Sequence, residues 1–562
     1  MSSLANTVKK NEKVKRSMAV ENFMGGVSFE MDPMTTLRMV SASSIFSEPQ
    51  YYRNSPSKPA YLRNAPKAFA EFTVLETSGK KTDEYMEEII DKALDYDFEA
   101  VLDFAAELRN DYFMRLNPQV IMVRAAMHPN RVKFTSENPD KFKEIQKTVM
   151  SRADEPSMQF AYYLWRYGSK KGLPSILKRT WANKLSSLNR YQIAKYKHAE
   201  LGMIDTVRVC HAKSELLDEL MKTGTIEVSN SEKTWENLKS EGKSWKEILT
   251  DEKFKMPHMA LLRNLRGIAL ELDETEDREL MKSLLKQLVS GVEKGKQFPF
   301  RYYSAYKAIE YVNSVPFKVM ILESLEECLQ VSLNNLPKLE GKTMVLSDNS
   351  GSAWGTITSE YGSVCVADIG NLSAVLTAMR SDEGYVGVFG NELHVIPVKK
   401  NASILDTLKT VSEAGKKVGG DTENGIWLFF EDAIENHVHW DNIFVYSDMQ
   451  AGYGELYCTF DGGNRYRKFK KEHPEAYGGV CNHDSGLPYV DVMSLLGYYR
   501  KHVNPKTNMF AIQTAGYNNA VLPQYCYRSN ILYGWTGKEV VFAKEMIDQW
   551  NAIEDKQKEN AQ

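Results

Sequence analysis

The sequence predicts two unlike halves, an all-helical repeat region followed by an α/β region built on a mainly parallel sheet. Three observations predict it. Apolar residues recur at helical spacing from about Asp83 to Leu336. Beyond Lys338, short apolar runs alternate with helical stretches. The length, 562 residues, exceeds what one ordinary core organises.

In the first half, Val101, Phe104, Ala105 and Leu108 fall at i, i+3, i+4 and i+7, one face of a helix. Asn117-Pro118 reads as a capping residue followed by proline at the first helical position. Met256-Pro257 opens another helix, continuing as HMALLRNLRGIALEL. Short helices joined by short polar turns point to a HEAT-like helical-repeat solenoid rather than one bundle. No strict period is visible, so the repeats are divergent.

In the second half, TMVLSD (Thr343–Asp348), DNIFVYSD (Asp441–Asp448) and NMFAIQTAG (Asn508–Gly516) are apolar strands that end in polar residues. Gly384–Val398 alternates and reads as a strand pair, while Asn401–Val418 and Val540–Asn551 read as helices. In open sheets of this kind, ligands bind beyond the carboxyl ends of the strands. The expected units are a basic arm (1–19), a helical unit (20–338), an α/β unit (339–552) and a frayed tail (553–562).

Composition excludes several classes. A hydrophobic fraction of 43% with 26% charged residues is that of a globular protein, not a disordered or fibrous one. Net charge is −3, so any nucleic-acid surface must be a local patch. The six cysteines form no CxxC pair and no zinc spacing with histidine, which reads as reduced thiols in a cytoplasmic protein. No apolar run is long enough for a membrane span. The N-terminal MSSLANTVKKNEKVKRS is basic and lacks the apolar stretch of a signal peptide.

LSDNSGSAWG (Leu346–Gly355) contains Asp348-x-Ser350-x-Ser352. A strand delivers Asp348 to its C-terminal edge, and the loop turns at Gly351 so that both hydroxyls can face one point. One carboxylate with two hydroxyl oxygens suits a hard cation that keeps waters, such as Mg²⁺. The bland alternative is that Ser350 and Ser352 only cap the next helix. Gly419-Gly420-Asp421-Thr422 and then Tyr446-Ser447-Asp448 follow in the chain. This order resembles the metal-ion-dependent adhesion site of von Willebrand factor A-type domains. The resemblance implies Asp348, Ser350, Ser352, Thr422 and Asp448 as ligands, with Asp421 leaving the register of the second loop open. No nucleophile–base pair accompanies the cluster, so the site reads as adhesive or structural and the chain as non-enzymatic.

Between Lys170 and Lys213 ten Lys/Arg face only Glu200 and Asp205, a local charge of +8. The cations include Lys178, Arg179, Lys195, Lys197 and Arg208. Trp181, Tyr191 and Tyr196 interleave with them, and FAYYLWRYG (Phe160–Gly168) lies just upstream. Cations contact phosphates and aromatics can stack on bases. The cations read as functional, whereas the aromatics, FAYYLWRYG above all, read as core. Arg208 and His211 lie three apart on a helix expected to start near Ile204, so they would share a face. His211 reads equally well as a structural residue or as a contact to phosphate or base.

Helical repeats, a basic stretch and an A-type domain in this order resemble the Ro autoantigen family of TROVE-domain proteins. ENFMGGVSF (Glu21–Phe29) with Tyr51-Tyr52, AKYKHAELGMIDTVRVCHAK (Ala194–Lys213) and MALLRNLRGI (Met259–Ile268) carry the likeness, which spans about residues 20–550. It implies a helical ring clasped by the A-type domain and a distant, bacterial-type member. It also implies a basic outer surface for small structured non-coding RNAs of the Y type, and a hole for single-stranded ends of misfolded RNA. Work in RNA quality control follows, with an exoribonuclease as partner and the protein itself monomeric. Lys195 and His211 match the family's RNA-contacting positions, and Lys197 and Arg208 match in kind. The sequence departs from the family where Ala199 replaces an arginine, where the stretch from Ala199 to Asp205 is shorter, and in Glu455–Gly479, which has no counterpart.

Two other readings compete. A protein-interaction adaptor would grip a partner carboxylate through Mg²⁺ and use the helices passively. A two-metal nuclease on Asp348, Asp421 and Asp448 is disfavoured, because hydroxyls replace the extra carboxylates that such chemistry needs.

Overall fold

The structure is a computed structural model. It describes residues 19–21, 27–30, 32–43, 82–111, 114–168, 172–196, 202–227, 233–251, 254–295, 297, 299–334, 336–355, 365–420, 423–449, 465, 468–469, 471–476, 491–514, 519–522, 527–533 and 539–559.

The helical half follows its apolar pattern. Helix Phe98–Asn110 starts at Asp97, whose side chain accepts from the Ala100 amide at 3.0 Å, and buries Val101, Leu102, Phe104 and Leu108 on one face. Burying each of these contributes roughly 1.5–3 kcal/mol. In helix Asn117–Met127, Leu116 rather than Asn117 occupies the cap position. The buried Asn117 side chain instead donates to the Ser41 carbonyl at 2.7 Å and so anchors helix Pro33–Ser43. Helix His258–Glu271 begins after Pro257 as expected. Helix Glu155–Tyr167 buries Phe160, Tyr162 and Tyr163, so its aromatics are core. It stops at Gly168, whose φ of 67° favours glycine.

These helices share two cores. One runs from Met34 to Ile226. The other runs from Leu238 through helix Lys318–Leu333 without a break into one face of the sheet, including Val345, Val386, Phe444 and Phe510.

The α/β half contains β3 (Leu339–Asp348), β4 (Ser381–Phe389), β5 (Leu393–Val398), β6 (Asn442–Ser447), β7 (Asn508–Gln513) and β9 (Ser529–Tyr533), in the order β5-β4-β3-β6-β7-β9. Only β5 is antiparallel, forming the expected hairpin with β4. Side chains alternate between faces. Met344, Leu346, Ile443, Val445 and Met509 meet helices Glu423–Glu435 and Val492–His502, while Val345, Phe444 and Tyr446 face the other way. From β3 the chain moves first to one side and later returns to build the other. β3 and β6 therefore form a topological switch point, whose crevice lies beyond their carboxyl ends.

The start of the chain also reaches this half. β1 (Ala19–Glu21) pairs with β2 (Val27–Glu30), and β2 pairs with β8 (Asn519–Ala520) through Phe29↔Ala520 and Glu30↔Asn519. Helix Pro33–Ser43 packs on β9. The first elements of the helical half and its last helix thus both rest on the α/β half, which closes the helices into a ring.

The C-terminal stretch differs from expectation. Helix Glu539–Glu559 continues through most of residues 553–562, where a frayed tail was expected. Glu554 explains this, because it accepts from Tyr527, Arg528 and Lys506, each at 2.8 Å. Among the described residues no helix is long and apolar enough to cross a membrane.

Candidate metal centre and basic surface

β3 and β6 run side by side, with Ser347 opposite Tyr446, so their ends bring Asp348 and Asp448 together. The Ser350 amide donates to Asp348 Oδ1 at 2.9 Å, which folds the loop back over the strand end. The Ser350 and Ser352 hydroxyls are 3.0 Å apart, and Ser352 Oγ donates to Asp448 Oδ2 at 3.4 Å. Four of the five expected ligands, Asp348, Ser350, Ser352 and Asp448, therefore converge. Thr422 and Asp421 lie outside the described residues. The loop leading to them is nonetheless docked here, since the Gly351 amide donates to the Gly420 carbonyl at 3.0 Å.

The sequence reading missed Ser447, whose hydroxyl donates to Asp348 Oδ2 at 2.6 Å. Its place directly before Asp448 was the available signal. It also missed Asn371, on helix Val366–Met379, which exchanges hydrogen bonds with Asn349 at 2.8 and 2.9 Å and accepts from Ser347 Oγ at 2.8 Å. These buried amides fix the loop from beneath. Gly390 and Gly415 are glycine because a Cβ would strike the Gly419 carbonyl in one case and the Asn349 side chain in the other.

Burial pushes the Asp348 carboxyl up, against hydrogen bonds from Ser447 and Ser350 that pull it down. Asp448 is equally buried beside it. Two desolvated carboxylates lined with hydroxyl oxygens form a donor set for a hard divalent cation, which would offset both the burial and the mutual repulsion. The all-oxygen chemistry of the residues present fits such an ion.

The basic stretch spreads over three helices, Ser175–Ser186, Arg190–Tyr196 and Met203–Cys210. Arg179, Arg208 and His211 are exposed, and Lys178 and Lys195 are half-buried. Lys197 lies outside the described residues. Arg208 has an ion pair with Asp205 at 3.9 Å in the open, which holds it weakly. The Lys195 ammonium sits 5.8 Å from the Tyr191 ring centre, 5.7 Å from that of Tyr196 and 3.7 Å from Glu236. Trp181 is fully buried and its indole donates to Gln159 Oε1 at 2.7 Å, so it stacks on nothing outside.

Two expectations are corrected here. Helix Met203–Cys210 ends before His211, which takes a left-handed conformation (φ 58°) at its C-cap and donates its amide to the Val207 carbonyl at 2.8 Å. His211 therefore leaves the helix and does not share a helical face with Arg208. Arg190, counted with the free cations, is held by Glu219 through two hydrogen bonds of 2.8 and 2.9 Å. A further cation, Arg152, went unnoticed. Its guanidinium lies 5.1 Å from the Tyr196 ring centre and donates to the Tyr196 hydroxyl at 3.2 Å. Arg152 lies outside the basic stretch, so spacing gave no signal for it.

Residues 220–335 match the family model of the TROVE domain. The basic stretch lies just before the matched residues. No curated protein matches the chain by sequence. By fold, the chain is similar to the crystal structure of the Deinococcus radiodurans Ro (RSR) protein, with a TM-score of 0.55 over 91% of this chain and 99% of that one, at 11% identity. The chain thus shares the fold of the Ro protein, helices resting at both ends on an α/β half, and within those helices residues 220–335 match the TROVE domain.

Proposed function

We propose that this protein is a non-catalytic RNA carrier whose basic helical surface holds a small structured RNA. The observation that carries this reading is the surplus of accessible cations over carboxylates on the 175–213 surface. Lys178, Arg179 and Lys213 have no ion pair among the described residues, and the one Arg208 makes is exposed. Phosphates supply the missing negative charge and release their counterions on binding. The TROVE match and the Ro-like fold support the same reading. On this account the bound RNA is of the Y type, single-stranded ends of misfolded RNA enter the ring, and an exoribonuclease acts on what the ring presents. The protein works as a monomer in the cytoplasm.

Asp348, Ser350, Ser352 and Asp448, with Thr422, would hold Mg²⁺. The ion would neutralise two buried carboxylates and offer an open position to an acidic oxygen. It serves adhesion or structure, not RNA binding.

Gel-shift titration of the full chain with a small structured RNA tests the reading. Binding that weakens sharply in the Lys195→Ala/His211→Ala double variant is expected. Equal binding by that variant would overturn the assignment of these residues. No binding by the unaltered protein would overturn the function and favour the adaptor reading.

A further inference from the structure

We infer that the α/β half carries a second metal centre at Glu435, Glu472 and His473, one that selects a borderline divalent ion such as Zn²⁺. One carboxylate oxygen from each glutamate and one imidazole nitrogen lie within 4.8 Å of one another. No hydrogen bond or ion pair joins any two of the three among the described residues. They therefore converge on one point without bonding to one another, with the Arg465 guanidinium near enough to attract Glu435. Ligand atoms about 2.1 Å from a shared tetrahedral zinc stand about 3.4 Å apart. The observed spacing needs only a small inward swing, which the two exposed glutamates can make.

The histidine is set up for the role. Its Nδ1 is 2.9 Å from the Tyr498 hydroxyl, and its ring packs between Phe469, 4.7 Å away, and Tyr498, 5.3 Å away. With Nδ1 engaged, Nε2 is the nitrogen left for a metal. A polar partner on the far nitrogen is what orients metal-bound imidazoles in general. Glu435 ends helix Glu423–Glu435, His473 precedes the short turn Pro474–Ala476, and Tyr498 lies on helix Val492–His502. An ion here would clip these three elements together. Nitrogen with two carboxylates suits Zn²⁺, whereas the all-oxygen set at Asp348 suits Mg²⁺, so the two centres differ in the ion they take. Three protein ligands leave a fourth position for water.

Equilibrium dialysis of the metal-stripped full chain against micromolar Zn²⁺, with millimolar Mg²⁺ present to occupy the oxygen site, tests the assignment. One zinc per chain is expected, with binding lost in His473→Gln and weakened at least tenfold in Glu472→Gln. Tyr498→Phe, which removes only the orienting hydroxyl, should weaken it about tenfold. Circular dichroism shows whether His473→Gln folds. If it does not, the exposed Glu472→Gln decides alone. Zinc uptake unchanged in Glu472→Gln, or no uptake by the unaltered protein, would overturn the inference.

Discussion

The strand-end centre and the basic helical surface are built in opposite ways. At the strand ends, Asp348, Ser350 and Asp448 are buried and fixed by their neighbours, with Ser447 and Asn371 holding the loop from beneath. On the helices, Arg179, Arg208 and His211 are exposed and loosely partnered. A buried site loses its function with one atom group, because nothing else can take its place. A surface of dispersed charge loses it gradually, as each phosphate contact is removed.

The sharpest way to separate the two is Asp348→Ala. We expect Mg²⁺ binding, followed by calorimetry, to disappear entirely while RNA affinity stays within about twofold. A large loss of RNA affinity in a folded Asp348→Ala protein would show that the two regions are coupled and would break the comparison.

The complementary change, Lys195→Ala with His211→Ala, should weaken RNA binding by about 2–4 kcal/mol at low salt and leave Mg²⁺ binding untouched. Asn371→Ala probes the support beneath the metal loop. It removes the buried partner of Asn349 Oδ1 and of the Ser347 hydroxyl, so a loss of about 1–3 kcal/mol in denaturant unfolding is expected. A loss of about tenfold in Mg²⁺ affinity should accompany it.

The smallest effect concerns the clasp. Burial opposes ionisation of Glu554, but hydrogen bonds from Lys506, Tyr527 and Arg528 pull its carboxyl down to about 2. A lowered carboxyl contributes stability that is fully present above its unfolded value near 4.5 and is lost as pH falls toward about 2. Glu554→Gln should cost about 1 kcal/mol near neutrality and flatten the fall in melting temperature across that acid window. An unchanged acid profile would show that the C-terminal helix is held elsewhere.

The two regions were also unequally legible. Asp348, Ser350 and Ser352 sit at fixed spacing after an apolar strand, and strand geometry converts that spacing into position. Asp448, at the end of β6, entered only through the resemblance to the A-type adhesion site. Ser447 was signalled only by its place before Asp448, and Asn371 was not legible, because its partner Asn349 lies twenty-two residues away on another element. On the helices, the charge excess could be counted but the individual roles could not. Arg190 is spent on Glu219, a partner twenty-nine residues away. His211 steps out of its helix at a left-handed residue that the periodicity does not announce. Ring closure through β2 and β8 was illegible for the same reason, since it joins Phe29 to Ala520.

The most direct test of the central claim is the salt dependence of RNA binding, comparing the unaltered protein with a Lys178→Ala/Arg179→Ala/Lys195→Ala/Arg208→Ala variant. Fluorescence anisotropy with a small structured RNA gives log Kd against log salt. The account predicts a steep line for the unaltered protein and a slope shallower by about three in the variant, near 0.7–0.9 for each phosphate contact removed. Parallel lines for the two proteins would contradict it, because the RNA would then be held by some other surface.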